Sequence, residues 1–195
     1  MADDSPGGIH ALFNHPGVRR VLVKLRVPLT LAVAALMLRF VEPRWFWLAL
    51  GVSAFGELWQ VWCFASLKKQ KVLATRGPYV LMRNPMYLAR YFFILGCLVL
   101  LGNPWVLAGY TVLYYFYIVN RVRREEKKLI GIFGPSYEQY CRDVNRFLPT
   151  LRNRPWRDVA YFQWSLLIGN HGGWNALGSA LFYVAVYLYL FVWTG

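Results

Sequence analysis

The sequence predicts an all-α, polytopic integral membrane bundle of about five transmembrane helices. Three observations carry this. Apolar runs long enough to span a bilayer alternate with short turns. Hydrophobic residues make up 57% of the 195 positions and aromatics 18%, more than a water-soluble chain of this size usually holds. The cations sit beside the runs rather than inside them. The formal charge of +13 therefore marks topology, not nucleic acid, for which no motif is present.

Residues 1–20 form a polar arm rich in Gly, Pro and Asp, without the basic start and apolar core of a signal peptide. His10 and His15 lack partners at metal-ligand spacing, and no metal is expected. Residues 21–67 hold two spans. The first, Val21–Phe40, carries Lys24 and Arg26 near its start, where they can snorkel to headgroups. The turn Glu42-Pro43-Arg44 leads to the second, Trp45–Leu67, opened by the interfacial aromatics Trp45, Phe46 and Trp47. Glu57 lies at membrane depth, as a functional carboxylate or as one end of an inter-helix hydrogen bond.

Residues 68–149 hold a basic loop, a hairpin of two short spans and a polar segment. Pro85 starts the third span, Met86–Leu101, and Gly102-Asn103-Pro104 turns it into the fourth, Trp105–Val119. Residues 150–195 give an interfacial segment, Trp156–Ile168, a break at Gly169–Gly173 and a last span, Trp174–Trp193. Cys63, Cys97 and Cys141 form no Cys-x-x-Cys and suggest neither a disulfide framework nor zinc. Lys and Arg number four before Val27, six between Leu67 and Tyr91 and ten between Asn120 and Asp158, whereas the turn at Pro43 carries Arg44 alone. By the positive-inside rule both polar stretches face the cytoplasm.

Those stretches hold the residues able to do chemistry. Arg121 and Glu125 stand four apart on one helix face, with Glu126 a quarter-turn away. A solvated, salt-bridged face fits that spacing as well as a site does. Gly134-Pro135 ends this helix and starts a short one bearing Tyr137 and Tyr140, whose hydroxyls can donate and whose rings can seat a cation. Upstream, Gly77-Pro78-Tyr79 forces a turn. Pro85 starts a helix whose first backbone N–H groups favour an anion, and Arg83 and Asn84 stand beside them.

Together, TRGPYVLMRNPMYLA and RVRREEKKLIGIFGPSYEQYCRDVNRFLP resemble the membrane-embedded methyltransferases of the isoprenylcysteine carboxyl methyltransferase and phospholipid methyltransferase superfamily. The pattern Gly-x-Tyr-x-x-x-Arg-His/Asn-Pro-x-Tyr, a hairpin, and then Arg-x-x-x-Glu-Glu-x-x-Leu-x-x-x-Phe-Gly-x-x-Tyr-x-x-Tyr is met throughout, from about Lys71 to Pro149. The resemblance implies S-adenosylmethionine bound in a cytoplasmic pocket without a Rossmann sheet. It implies that Lys71, Val72, Leu73, Ala74 and Tyr79 line the cofactor, and that Asn84, Pro85, Met86 and Tyr87 cradle its methionine end. It further implies that Glu125, with Glu126, takes the cofactor's polar groups and that Arg121, with Arg83, faces the substrate. The catalytic candidates are Arg121, Glu125 and Glu126.

A carboxylate acceptor needs no base and suits Arg121, whereas an amine or thiol would need Glu125 or Glu126 to take its proton. Asn84-Pro85-Met86-Tyr87 is closer to the phospholipid branch, and the Arg121 and Phe133-Gly134 half is equally at home in the carboxyl branch. The expected partners are the membrane and a lipid or isoprenoid substrate. A non-catalytic scaffold of the same fold is the rival reading. The tail after Pro149 lies outside the resemblance, as a wall for substrate entry or a dimer contact.

Overall fold

The computed structural model describes residues 38–68, 72–150 and 155–193. The N-terminal arm, nearly all of the expected first span, and Lys71 lie outside the described residues. The chain divides into two compact units at Val41 and Glu42, and the second, Glu42–Gly195, holds both motifs. Among the described residues every regular element is helical.

A short 3-10 turn, Pro43–Trp45, leads into α1, Phe46–Ser66. Its 21 residues reach about 32 Å, the thickness of a bilayer core. Ala49, Ser53, Gly56, Gln60 and Cys63 recur at alternating steps of four and three and are all buried, while Trp47, Leu48, Phe55 and Leu58 point outward. This small-residue stripe receives α2, Pro85–Val99. A Cβ on Gly96 would stand 2.5 Å from the Ser53 nitrogen and 2.7 Å from the Ala49 oxygen, so only glycine lets the two backbones come this close.

The turn after α2 is capped by Asn103, whose Oδ1 accepts from the nitrogens of Trp105 (2.9 Å) and Val106 (3.4 Å). The next helix, α3, Pro104–Phe133, differs from expectation. The fourth span and the polar segment form one uninterrupted helix of 30 residues, about 45 Å long. Nothing between Val119 and Arg121 breaks it: Asn120 returns its side chain to the Phe116 carbonyl (3.1 Å) and the ladder runs on. Tyrosines fill the α2–α3 seam. Tyr91 stacks on Tyr110 at 5.5 Å, and the Tyr114 hydroxyl donates to the Tyr87 carbonyl (2.7 Å). Gly134, at φ 53°, ends α3, and Pro135 opens α4, Pro135–Asp143, as the sequence predicts.

The expected interfacial helix is two short pieces, α5, Trp156–Val159, and α6, Trp164–Gly169. Between them the chain covers the end of α1, which leaves carbonyls without helical partners. The Gln163 nitrogen donates to the Ala65 carbonyl (3.0 Å), and Asn170 Nδ2 donates to those of Phe64 (2.9 Å) and Leu67 (2.7 Å). The last helix, α7, Gly172–Leu188, continues as a π-helical turn, Tyr189–Trp193. It returns along α1, where the Tyr183 hydroxyl meets Ser53 Oγ at 2.5 Å.

The same pairing resolves Glu57. Its carboxylate accepts from Asn175 Nδ2 (3.0 Å) and Ser179 Oγ (2.9 Å), the inter-helix hydrogen-bond reading of that residue. Among the described residues, two helical stretches, Pro43–Ser66 and Gly172–Trp193, are long and apolar enough to cross a membrane, and Pro85–Val99 is apolar but shorter.

Candidate functional site

The two motifs meet where α3 runs past the start of α2. A 3-10 turn, Gly77–Val80, brings the chain to Asn84, and residues 79–84 are sewn to the stretch after α4. The Arg83 nitrogen donates to the Asn145 carbonyl (2.9 Å), the Thr150 nitrogen to that of Leu81 (2.7 Å), and the Tyr140 hydroxyl to that of Tyr79 (2.6 Å). Tyr137, Tyr140 and Val144 form a small core joined by Leu73, Leu129 and Phe133. The Tyr140 hydroxyl donates, as its type allows, but both tyrosine rings of α4 are buried packing. They hold residue 73 of the first motif against α3. Burial, reinforced by the nearby Glu126 carboxylate, pushes the Tyr137 phenol well above its ordinary value.

The adjacent carboxylates part company. Glu126 points inward and accepts from Arg146 Nε (3.2 Å) and Nη2 (2.6 Å), with Asn84 Nδ2 at 3.5 Å. Arg83 Nε lies 3.4 Å from the same carboxylate but lacks hydrogen-bond alignment, so that contact is a charge pair only. Arg83 Nη1 is spent on the Cys141 carbonyl (3.2 Å). Arg146 is held charged by its bonds to Glu126. Glu126 and Arg83 therefore neutralise each other inside the frame. Arg146 is the partner that sequence reasoning passed over. It lies 20 residues away, and nothing in local spacing marks it.

Glu125 faces outward. Its Oε1 lies 3.0 Å from Arg121 Nη2, and Arg121 Nε donates to the Tyr87 hydroxyl (3.2 Å). Tyr87, Arg121 and Glu125 thus form one half-exposed polar chain across the α2–α3 seam. Arg121 keeps its remaining N–H donors outward. The Tyr79 phenol, buried and within the fields of Cys63, Tyr140 and Glu125, is pushed well above its ordinary value and stays neutral. At the start of α2, Asn84 makes no side-chain cap, so the first-turn N–H groups have no such partner and suit an anionic group.

A hollow of about 170 Å³ is lined by Ser66, Lys68, residues 72–76 and Tyr161, and Tyr79 is not among its lining residues. Of the residues expected at the cofactor, Val72, Leu73 and Ala74 line it. Asn84, Pro85, Met86 and Tyr87 stand apart, at the α2 start.

These features define a helical protein with membrane-length apolar helices, α1 and α7, and an ionic site between the start of α2 and the polar part of α3. The model of the phospholipid methyltransferase family matches residues 31–136, more than half of the chain. The chain belongs to that family. Family and helices together make it an integral membrane protein. Protein-S-isoprenylcysteine O-methyltransferase of Xenopus laevis is 36% identical over 80 residues, 41% of this chain and 28% of that protein. The protein of the same name from Homo sapiens is 31% identical over 80 residues, again 41% of this chain and 28% of the relative. Cobalt-zinc-cadmium resistance protein CzcN of Cupriavidus metallidurans is 28% identical over 163 residues, 77% of this chain and 74% of that protein. The chain spans less than half the length of the isoprenylcysteine relatives it matches. No solved structure matches it.

Proposed function

We propose that this protein transfers a methyl group from S-adenosylmethionine to a membrane-resident acceptor, an isoprenylcysteine-type carboxylate. The observation that carries the reading is the outward chain Tyr87–Arg121–Glu125 at the polar exit of two apolar helices. The residues fit such a cofactor: the half-exposed Glu125 carboxylate for its cationic groups, first-turn N–H groups of α2 without a side-chain cap for its carboxylate, and the apolar Val72–Ala74 stretch. The bound cofactor supplies a methyl group made electrophilic by its sulfonium. Glu125 offers that cation a counter-charge, and Tyr87 and the α2 start orient it. Arg121, half-exposed, would offer its remaining N–H donors to the acceptor carboxylate and so fix the acceptor against the cofactor. No proton has to move. Glu126, tied to Arg83 and Arg146, keeps the loop and helix in register.

In this reading about five helices span the bilayer. Residues 68–149 form the catalytic core, 1–20 an arm, 21–67 the first two spans and 150–195 the closing segment. Lys71 completes the cofactor wall. The site opens to the cytoplasm, where the cations gather, and the lipid or isoprenoid acceptor enters sideways between helices.

A second reading, N-methylation of a phospholipid headgroup, is favoured by the matched family's description and by Asn84-Pro85-Met86-Tyr87. There Glu125 would accept the amine's proton.

Calorimetry in mild detergent tests the site. Wild type should bind S-adenosylmethionine, and Glu125→Ala should weaken binding at least tenfold, about 1.4 kcal/mol. A folded wild type that binds none would refute the proposal. Methyl-labelled cofactor offered with an isoprenylated cysteine or an aminophospholipid then separates the two acceptors.

A further inference from the structure

The tail after Pro149 falls outside both the family match and the two motifs. Among its described residues, contacts at Asp158 and Tyr161 fix its course. The Tyr161 carbonyl accepts from Trp62 Nε1 (3.2 Å) and Ser66 Oγ (3.1 Å). Arg76 lies over the Tyr161 ring at 5.4 Å and pairs with Asp158 at 3.2 Å. Arg76 follows directly on residues 72–75, so the tail is fastened to the expected cofactor loop itself.

The outcome is a hollow with one wall from residues 72–74 and the other from Tyr161. At about 170 Å³ it is smaller than the 300–1,000 Å³ that whole drug-sized ligands occupy. It takes one ring system, not a whole cofactor. Its lining sets the Tyr161 ring and the apolar residues 72–74 beside hydrogen-bonding groups of Ser66, Lys68, Thr75 and Arg76, an aromatic face among polar groups that suits a flat heteroaromatic base. Leu73 at the hollow packs on the Tyr137–Tyr140 core, which also takes Leu129 of α3, the helix that carries Glu125. Base and sulfonium would thus be divided between two ends of one site.

We propose that Tyr161 forms the aromatic wall for the purine of the cofactor, so that the C-terminal segment completes the cofactor site. This rests on the methyltransferase reading above, and the tests separate the two.

Cofactor affinity is measured by calorimetry on the full chain in detergent, for wild type, Tyr161→Phe and Tyr161→Leu, with melting temperatures recorded alongside. Phe should bind as wild type does. Leu should lose about tenfold in affinity at an unchanged melting temperature, and adenosine should compete on wild type and Phe but not on Leu. A Leu variant that binds both ligands like wild type overturns this inference alone. A wild type that binds no S-adenosylmethionine overturns the methyltransferase reading and this with it. If the Leu variant does not fold, wild type decides by photolabelling with an azidopurine form of the cofactor. Label within residues 155–163 supports the proposal, and label confined elsewhere overturns it.

Discussion

Replacing Glu126 by glutamine isolates what the inward carboxylate does. The substitution keeps size and shape but removes the charge shared by two guanidiniums. The Arg83 side chain is 12% exposed and that of Arg146 39%, against 10% for Glu126 itself. Removing one member of a fully buried ion pair costs about 3–5 kcal/mol, because the partner stays behind uncompensated. Arg146 reaches water and is partly screened, so the expected cost is nearer 2–3 kcal/mol. For a chain of this size each kcal/mol moves the melting temperature by about 2–4 °C, so Glu126→Gln should melt about 4–12 °C lower.

Glu125→Gln makes the matched control. That pair is exposed on both sides, and such pairs contribute about 0–1 kcal/mol. Thermal melting in one detergent, followed by far-ultraviolet dichroism, reads both variants. The expected pattern is a double dissociation: Glu126→Gln loses stability, while Glu125→Gln stays stable and loses cofactor affinity. Melting of Glu126→Gln within about 2 °C of wild type, or an equal fall for Glu125→Gln, would refute the division of labour between the two carboxylates.

The α1–α2 contact predicts that Gly96→Ala forces the backbones apart and lowers stability by about 1–3 kcal/mol. Gly109→Ala on α3, where an added Cβ meets nothing within 4 Å, should be neutral or stabilising by up to about 1 kcal/mol, and melting temperatures check both. The buried phenols of Tyr79 and Tyr137 predict an alkaline limit. Both ionise in the unfolded chain near pH 10 but hold their protons well beyond that when folded. Below pH 10 they add no pH dependence. Above it the unfolded chain sheds protons that the folded chain keeps, so stability falls as pH rises. Melting curves from pH 8 to 11 should show the fall, with a shallower slope in Tyr79→Phe.

Features written in consecutive residues could be read directly. Pro85 as a helix start, the Asn103-Pro104 turn and the Gly134-Pro135 junction depend on local backbone chemistry, and each stands where the sequence puts it. Pairings between distant positions could not. Glu57 finds Asn175 and Ser179 more than a hundred residues on, and the available signal was two polar residues four apart on an otherwise apolar helix. The partnership of Glu126 with Arg146, and of Tyr161 with the cofactor loop, depends on how α4 and the tail fold back. The unbroken α3 was obscured by its change in composition: polarity shifts at Asn120, but a helix needs no change of backbone to pass from an apolar to a polar zone.

That continuity makes α3 a ruler. Ile118 is buried, and Arg121 and Glu125 follow it by three and seven residues, about 4.5 and 10 Å along the axis. With no joint between them, the two groups proposed to act on the cofactor and acceptor hold a set height above the apolar zone, and no loop can adjust it. Acceptors would then be sorted by how far their reactive atom rises from the hydrocarbon before they are sorted by chemistry. A change in bilayer thickness that tilts the rod would move Arg121 and Glu125 together, as one rigid end.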